Sequence, residues 1–233
     1  MLFRYLSDLI HAQISKWRGH EEPKVDLQAQ PAVVDVSTPR EVPKPATRFE
    51  AAKGNITVYP GDAIVNAANS GLIPGGGVCG AIFAASDFDK LEEACIALQG
   101  CPTGEAKVTP SFGMPAPWIV HAVGPVWYGG EKGEPEQLAG AYRSALEQAH
   151  GVGARSIAFP AISTGIYGYP LADATAVAVE TIRQYVAQHP EHFDAIDVLC
   201  FDDKTLNCYL DTMAGKPQLS AQNNIGMTGP SGM

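Results

Sequence analysis

Residues 66–84, NAANSGLIPGGGVCGAIFA, run from the end of an apolar strand through a glycine-dense loop into a segment with helical spacing. Gly75, Gly76 and Gly77 are consecutive, so no Cβ obstructs the backbone and it can approach a ligand closely. A helix starting directly after such a loop presents N–H groups without intrahelical partners and the positive end of its dipole, which together suit a phosphate. The stretch therefore predicts a loop that holds a nucleotide-like diphosphate.

Outward from it, apolar strand-like runs alternate with helical patterns. Strands are expected at Ala63–Ala67, Ala106–Thr109, Trp118–Val123, Ser156–Pro160 and Ile196–Phe201. Helices are expected at Val78–Ala85, Phe88–Leu98, Pro135–Gly151, Leu171–Gln188 and Lys204–Met213. Runs such as IVNAA and SIAFPA are apolar throughout, as in strands covered on both faces. The alternation predicts an α/β domain with helices on both sides of a largely parallel sheet.

A second small-residue loop, Phe159 to Gly168 (FPAISTGIYG), also follows a strand, and Pro170 opens the next helix where proline is best tolerated. Strand C-termini ahead of helix N-termini line the crevice of an open α/β sheet. Two such loops predict a clamp around two linked phosphates. Gly75, Gly77 and Gly80 also spell the dinucleotide fingerprint G-x-G-x-x-G. That motif needs a strand immediately before the first glycine and an acid at the end of the next strand. Here residues 70–74 intervene, and Glu92 and Glu93 fall in a helical pattern, so a Rossmann dehydrogenase is the weaker alternative.

Composition bounds the function. A chain of 233 residues, 45% hydrophobic, can bury one full core. Sixteen basic against 25 acidic residues give a net charge of −9, which argues against a nucleic-acid or anionic-membrane partner. An anionic ligand must then be held mainly by backbone amides. Five cysteines (Cys79, Cys95, Cys101, Cys200, Cys208) without CxxC spacing favour reduced thiols and a cytoplasmic protein over disulfides or a zinc site. No metal or cofactor is called for, and no apolar run is long enough to span a membrane.

Residues 1–18 place Leu2, Phe3, Leu6, Leu9, Ile10, Ile14 and Trp17 at helical spacing, an amphipathic helix that would dock on its own domain or on a protein partner. Residues 19–47 hold Pro23, Pro31, Pro39, Pro43 and Pro45 and read as an extended linker. Residues 216–233, rich in Gly, Asn and Ser, read as a flexible tail, leaving 48–215 as the folded domain.

Taken together, GNIT at 54–57, DAIVNAAN at 62–69, the Gly75–Ala81 loop, VHAVGP at 120–125 and Ala158 to Pro170 resemble, in order and spacing, the macrodomain family, most of all its MacroD-type ADP-ribosyl hydrolase branch. The resemblance implies a three-layer α/β/α fold with a mixed, largely parallel central sheet, to which the N-terminal helix and linker are added. It implies an ADP-ribose cleft across the C-terminal edge of that sheet and two activities at the distal ribose: removal of ADP-ribose from acidic side chains of proteins, or deacetylation of O-acetyl-ADP-ribose. A non-catalytic module that reads ADP-ribosylated partners is the alternative. By the same resemblance, Asn55 stands where the family has an Asp that accepts from the adenine amino group, with Ile56 beside it. Asn69 contacts the distal ribose. Gly76, Gly77 and Val78 line one side of the diphosphate and Ser163, Thr164, Gly165, Ile166 and Tyr167 the other, with Tyr167 packing on the distal ribose. His121 matches a strand position and reads as a core histidine.

The departures bear on catalysis. The MacroD-type loop reads GGGVDGAIH, and its Asp is implicated in activating the attacking water. This chain has Cys79 there and Phe83 in place of the His. A thiol orients water poorly beside a carboxylate. Cys79 could be catalytically idle, leaving water activation to the substrate's own phosphate; it could be a thiolate nucleophile under the helix dipole; or turnover could be lost and binding kept. Asn69 and Cys79 are the candidate catalytic residues.

Overall fold

The computed structural model describes residues 46–216. The helix expected over 1–18, the linker up to residue 45 and the tail from residue 217 lie outside the described residues. Six strands form one sheet: β1 (Arg48–Lys53), β2 (Ala63–Ala67), β3 (Ala106–Pro110), β4 (Trp118–Ala122), β5 (Ser156–Phe159) and β6 (Ala195–Cys200), in the order β1-β6-β5-β2-β4-β3. β3 runs antiparallel to β4, and every other pairing is parallel. The helices are α1 (Gly77–Ala85), α2 (Phe88–Ala97), α3 (Glu134–Gly151), α4 (Leu171–Gln188) and α5 (Asp203–Met213).

Strand alternation sorts the sheet into two covered faces. Ala63 and Val65 of β2, Val120 and Ala122 of β4 and Ile157 and Phe159 of β5 pack with α3, α4 and α5. Ile64, Ile119 and Ala158, one residue out of phase, pack with α1 and α2 on the opposite face. The layers are therefore α/β/α, as the sequence predicts. β1 is the strand that apolar runs do not reveal. RFEAAK carries charge at Arg48, Glu50 and Lys53, because this edge strand pairs only with β6 and turns only Phe49 and Ala51 toward the core.

One local feature makes room for a ligand. β2 and β5 pair through only two rungs, Ala63 with Ile157 and Ile64 with Ala158. Beyond them the strands part, the chain from β2 entering α1 on one face and that from β5 entering α4 on the other. That divergence is the switch point at which open α/β sheets bind ligands. Below it, Asp62 Oδ2 accepts from Arg155 N at 2.8 Å and from Ser156 N and Oγ at 2.9 Å each, fixing the start of β5 beside the start of β2.

Candidate ligand-binding cleft

At that divergence lies a cleft of about 1020 Å³. Its walls bring together Asn55, Ile56, Asn69, Gly76, Gly77, Val78, Cys79, Ser163, Thr164, Gly165, Ile166 and Tyr167, every residue expected from the sequence. Sequence reasoning missed Lys53, Gly124, Pro160, Phe201, Asp202 and Thr205, which line it too.

The first loop is shaped by what its glycines lack. Gly77, at the first turn of α1, has φ +62°, the left-handed region that favours glycine. A Cβ on Gly80 would sit 2.6 Å from the carbonyl oxygen of Gly75, so the loop folds back on its own helix only because that Cβ is missing. Gly76 caps α1 with no side-chain hydrogen bond, leaving the first N–H groups of the helix open.

The second loop is pinned from beneath. The buried Tyr142 hydroxyl accepts from Ile162 N at 3.3 Å and lies 3.4 Å from the Pro160 carbonyl oxygen. Tyr169 N donates to Ser163 O at 3.0 Å, Trp127 N to Tyr167 O at 2.9 Å, and Thr164 Oγ1 to Ala161 O at 2.9 Å. These bonds consume carbonyls, while the N–H groups of Ser163, Thr164, Gly165, Ile166 and Tyr167 donate to nothing among the described residues. Ser163, 6% exposed, holds a left-handed φ of +66°, and its hydroxyl has no partner either. A Cβ on Gly124 would stand 2.2 Å from Ser163 Oγ, so glycine there makes room for that hydroxyl. The loops approach over the cleft: a Cβ on Gly76 would meet Ile166 Cδ1, of an 84% exposed side chain, at 3.2 Å.

At one end Phe201 stands 92% exposed at the C-terminal end of β6, next to Asn55, whose predecessor Gly54 donates to Cys200 O at 3.1 Å. At the other end lie Cys79, Asn69 and Tyr167. Asn69 clamps the Ile73 backbone, donating from Nδ2 at 2.7 Å and accepting at Oδ1 at 3.2 Å. Cys79, 4% exposed, has Sγ 3.7 Å from Asn66 Nδ2 and 3.9 Å from Ile73 O. Burial, then proximity to Cys79, raises the Tyr167 pKa. Phe83 points away into the core, edge-on to Phe88 at 5.6 Å.

A model of the "Macro domain" family matches residues 65–178. A macro domain-containing protein of Chlorobaculum tepidum is 49% identical over 166 residues, 71% of this chain and 95% of its own length. The chain belongs to the macro domain family. An O-acetyl-ADP-ribose deacetylase of Enterobacter cloacae is 44% identical over 166 residues, 70% of this chain and 91% of that one. A mutant Oceanobacillus iheyensis macrodomain solved with ADPR superposes with a TM-score of 0.68 at 35% identity, covering 73% of this chain and 94% of that one. The Trypanosoma brucei macrodomain in complex with ADP-ribose gives 0.67 at 37% identity, covering 71% and 69%.

The electrostatics of this macrodomain's cleft follow from its lining. The one cationic side chain of the lining among the described residues, Lys53, is paired with Asp203 at 2.8 Å, so the groups left to meet an anion are backbone N–H groups and the α1 dipole. The one carboxylate of the lining among the described residues, Asp202, caps α5 through Thr205 N at 2.7 Å. No group of three or more His, Cys, Asp or Glu side chains among the described residues is placed to hold a metal, and no helix among them is long and apolar enough to cross a membrane.

Proposed function

We propose that this macrodomain binds ADP-ribose along the cleft and slowly hydrolyses its derivatives at the distal ribose, acting as a mono-ADP-ribosyl-protein hydrolase or O-acetyl-ADP-ribose deacetylase in the cytoplasm. The observation that carries the reading is the row of N–H groups from Ser163 to Tyr167, without acceptors among the described residues, on the loop that lines the cleft together with the open first turn of α1. Two clusters of donors across a cleft suit two linked phosphates. The diphosphate lies between Gly76, Gly77 and Val78 on one side and Ser163 to Tyr167 on the other. The base lies against Phe201 beside Asn55 and Ile56, and the distal ribose against Asn69, Cys79 and Tyr167. The deacetylase names among relatives and the ADP-ribose in related structures support the choice of ligand and of reaction class.

For the ester, water adds to the acyl carbon, the acyl–oxygen bond breaks, and the ribose hydroxyl and the free acid leave. No carboxylate or imidazole among the described residues lines the Cys79 end, so the phosphate oxygens of the ligand itself take the water's proton. The same feature favours a second reading, a reader of ADP-ribosylated protein without turnover. Calorimetry with ADP-ribose, run beside turnover assays with O-acetyl-ADP-ribose and mono-ADP-ribosylated protein, tests both. Slow product release with micromolar binding is expected; binding without product in either assay selects the reader, and no binding overturns the site.

A further inference from the structure

Two buried tyrosines meet beneath the second loop, Tyr142 of α3 and Tyr209 of α5, with their hydroxyl oxygens 3.2 Å apart. The Tyr142 hydroxyl also lies 3.3 Å from Ile162 N and 3.4 Å from the Pro160 carbonyl oxygen. The proton positions follow from pairing every group. The Ile162 N–H can only donate to the Tyr142 oxygen. If Tyr142 gave its proton to Tyr209, the Pro160 carbonyl and the Tyr209 proton would both be left without a partner among the described residues. With Tyr209 donating to Tyr142, and Tyr142 to Pro160, none of these groups is stranded.

The Pro160 carbonyl and the Ile162 N–H belong to successive peptide groups on either side of Ala161, so one hydroxyl fixes the orientation of both. Directly beyond them Ser163 turns left-handed, at φ +66°, and the N–H groups of Ser163 to Tyr167 lack acceptors among the described residues. Tyr142 itself does not line the cleft, whereas Pro160 to Tyr167 do. We infer that Tyr142 is a positioning residue for the ligand: its hydroxyl, from behind the cleft wall, holds the second loop in the shape that leaves those N–H groups free for a diphosphate. Tyr209 makes no hydrogen bond to the loop, and its hydroxyl serves stability alone. This rests on the proposed function, since it assumes a diphosphate between the two loops. A loop ordered before the ligand arrives spares the cost of ordering it on binding.

Three variants test it: Tyr142→Phe, Tyr209→Phe and the two combined, each studied by thermal melts and by calorimetry with ADP-ribose well below its melting temperature. Tyr142→Phe strands the Tyr209 proton, the Ile162 N–H and the Pro160 carbonyl. Its melting temperature is expected to fall, and its affinity to drop about threefold to tenfold, the scale of one hydrogen bond. Tyr209→Phe leaves both loop contacts in place, so it is expected to melt below wild type yet bind within about twofold of it. The combined variant removes the stranded hydroxyl, so it is expected to melt above Tyr142→Phe while binding no more tightly. A merely structural tyrosine would not separate the two readouts. Affinity that follows the melting temperature through the three variants, or wild-type affinity in Tyr142→Phe, overturns the inference and leaves the cleft assignment standing. Should Tyr142→Phe not fold, the combined variant decides alone, and wild-type affinity in it overturns the inference. Wild-type protein that does not bind ADP-ribose overturns the proposed function itself.

Discussion

Asn66 and His121 stand opposite each other on β2 and β4, with Asn66 Nδ2 3.1 Å from His121 Nδ1. Both side chains are buried. An amide N–H directed at Nδ1 makes that nitrogen the acceptor and leaves the imidazole proton on Nε2, which faces Thr109 Oγ1 at 2.9 Å. The same Nδ2 lies 3.7 Å from Cys79 Sγ. The imidazole, kept neutral inside the sheet, thus orients the amide that backs the thiol of the cleft.

This arrangement predicts acid sensitivity. Burial holds the His121 pKa down to about 4, against ~6.5 for an unperturbed histidine. Above pH ~6.5 neither folded nor unfolded chain protonates it. As pH falls from there toward 4, the unfolded chain takes up a proton that the folded chain refuses, and stability drops. By pH ~4.5 the loss from this one group is about 2–3 kcal/mol. Urea unfolding at pH 7 and pH 4.5, on wild type and His121→Gln, isolates it. Wild type should lose that much more than the variant, and equal losses would refute the assignment.

The fold-back of the first loop gives a second prediction. Gly80→Ala places a methyl 2.6 Å from Gly75 O, against backbone that must move. The N–H groups of the loop are then misdirected, and ADP-ribose affinity should fall tenfold or more, while overpacking lowers stability by about 1–3 kcal/mol. Gly151→Ala, at the end of α3 with nothing within 4 Å, is the control and should leave both near wild type. Unchanged affinity in Gly80→Ala would mean that the loop does not position the ligand.

Much of this was legible in the sequence for a physical reason. Strands covered on both faces must be apolar throughout, so β2 and β5 announce themselves, and a backbone that approaches a ligand must shed its Cβ atoms, so the glycine loop does too. β1 stayed hidden because an edge strand tolerates charge at alternate positions. Phe201 stayed hidden because an aromatic at a strand end reads as core until its 92% exposure is known. The clue was its place at the C-terminal end of a strand, just before an Asp-capped helix. The turn in which Asn55 Oδ1 accepts from Thr57 could not be read either, since which end of an amide faces Thr57 depends on the local backbone, not on the residue.

Phe201 should matter to binding and hardly at all to folding. Its ring is exposed and stacks on no ring among the described residues, so truncation leaves no cavity. Phe201→Ala should cost about 1–3 kcal/mol of ADP-ribose binding, the scale of base–aromatic stacking, with a melting temperature close to wild type. Calorimetry and thermal melts on the one variant decide it. Full affinity would place the base elsewhere in the cleft.

Cys79 is where binding and catalysis separate. Its Sγ sits at the first turn of α1, between the Asn66 amide and the Ile73 carbonyl, and the described residues that line the cleft around it offer a water no carboxylate or imidazole. Cys79→Asp introduces an acceptor near the positive end of α1, with Asn66 Nδ2 in reach to hold one oxygen. The other oxygen is then free to orient the attacking water. If general-base assistance is what the wild-type site lacks, turnover of saturating O-acetyl-ADP-ribose should rise tenfold or more, toward the ~10²–10⁴ that a positioned base supplies. The ligand's affinity should change much less, because the diphosphate is held by the loops. Cys79→Ser separates this from mere polarity, since a hydroxyl in that place is not expected to accelerate the reaction. An unchanged or diminished rate in Cys79→Asp, with binding intact, would show that water activation in this macrodomain does not pass through position 79.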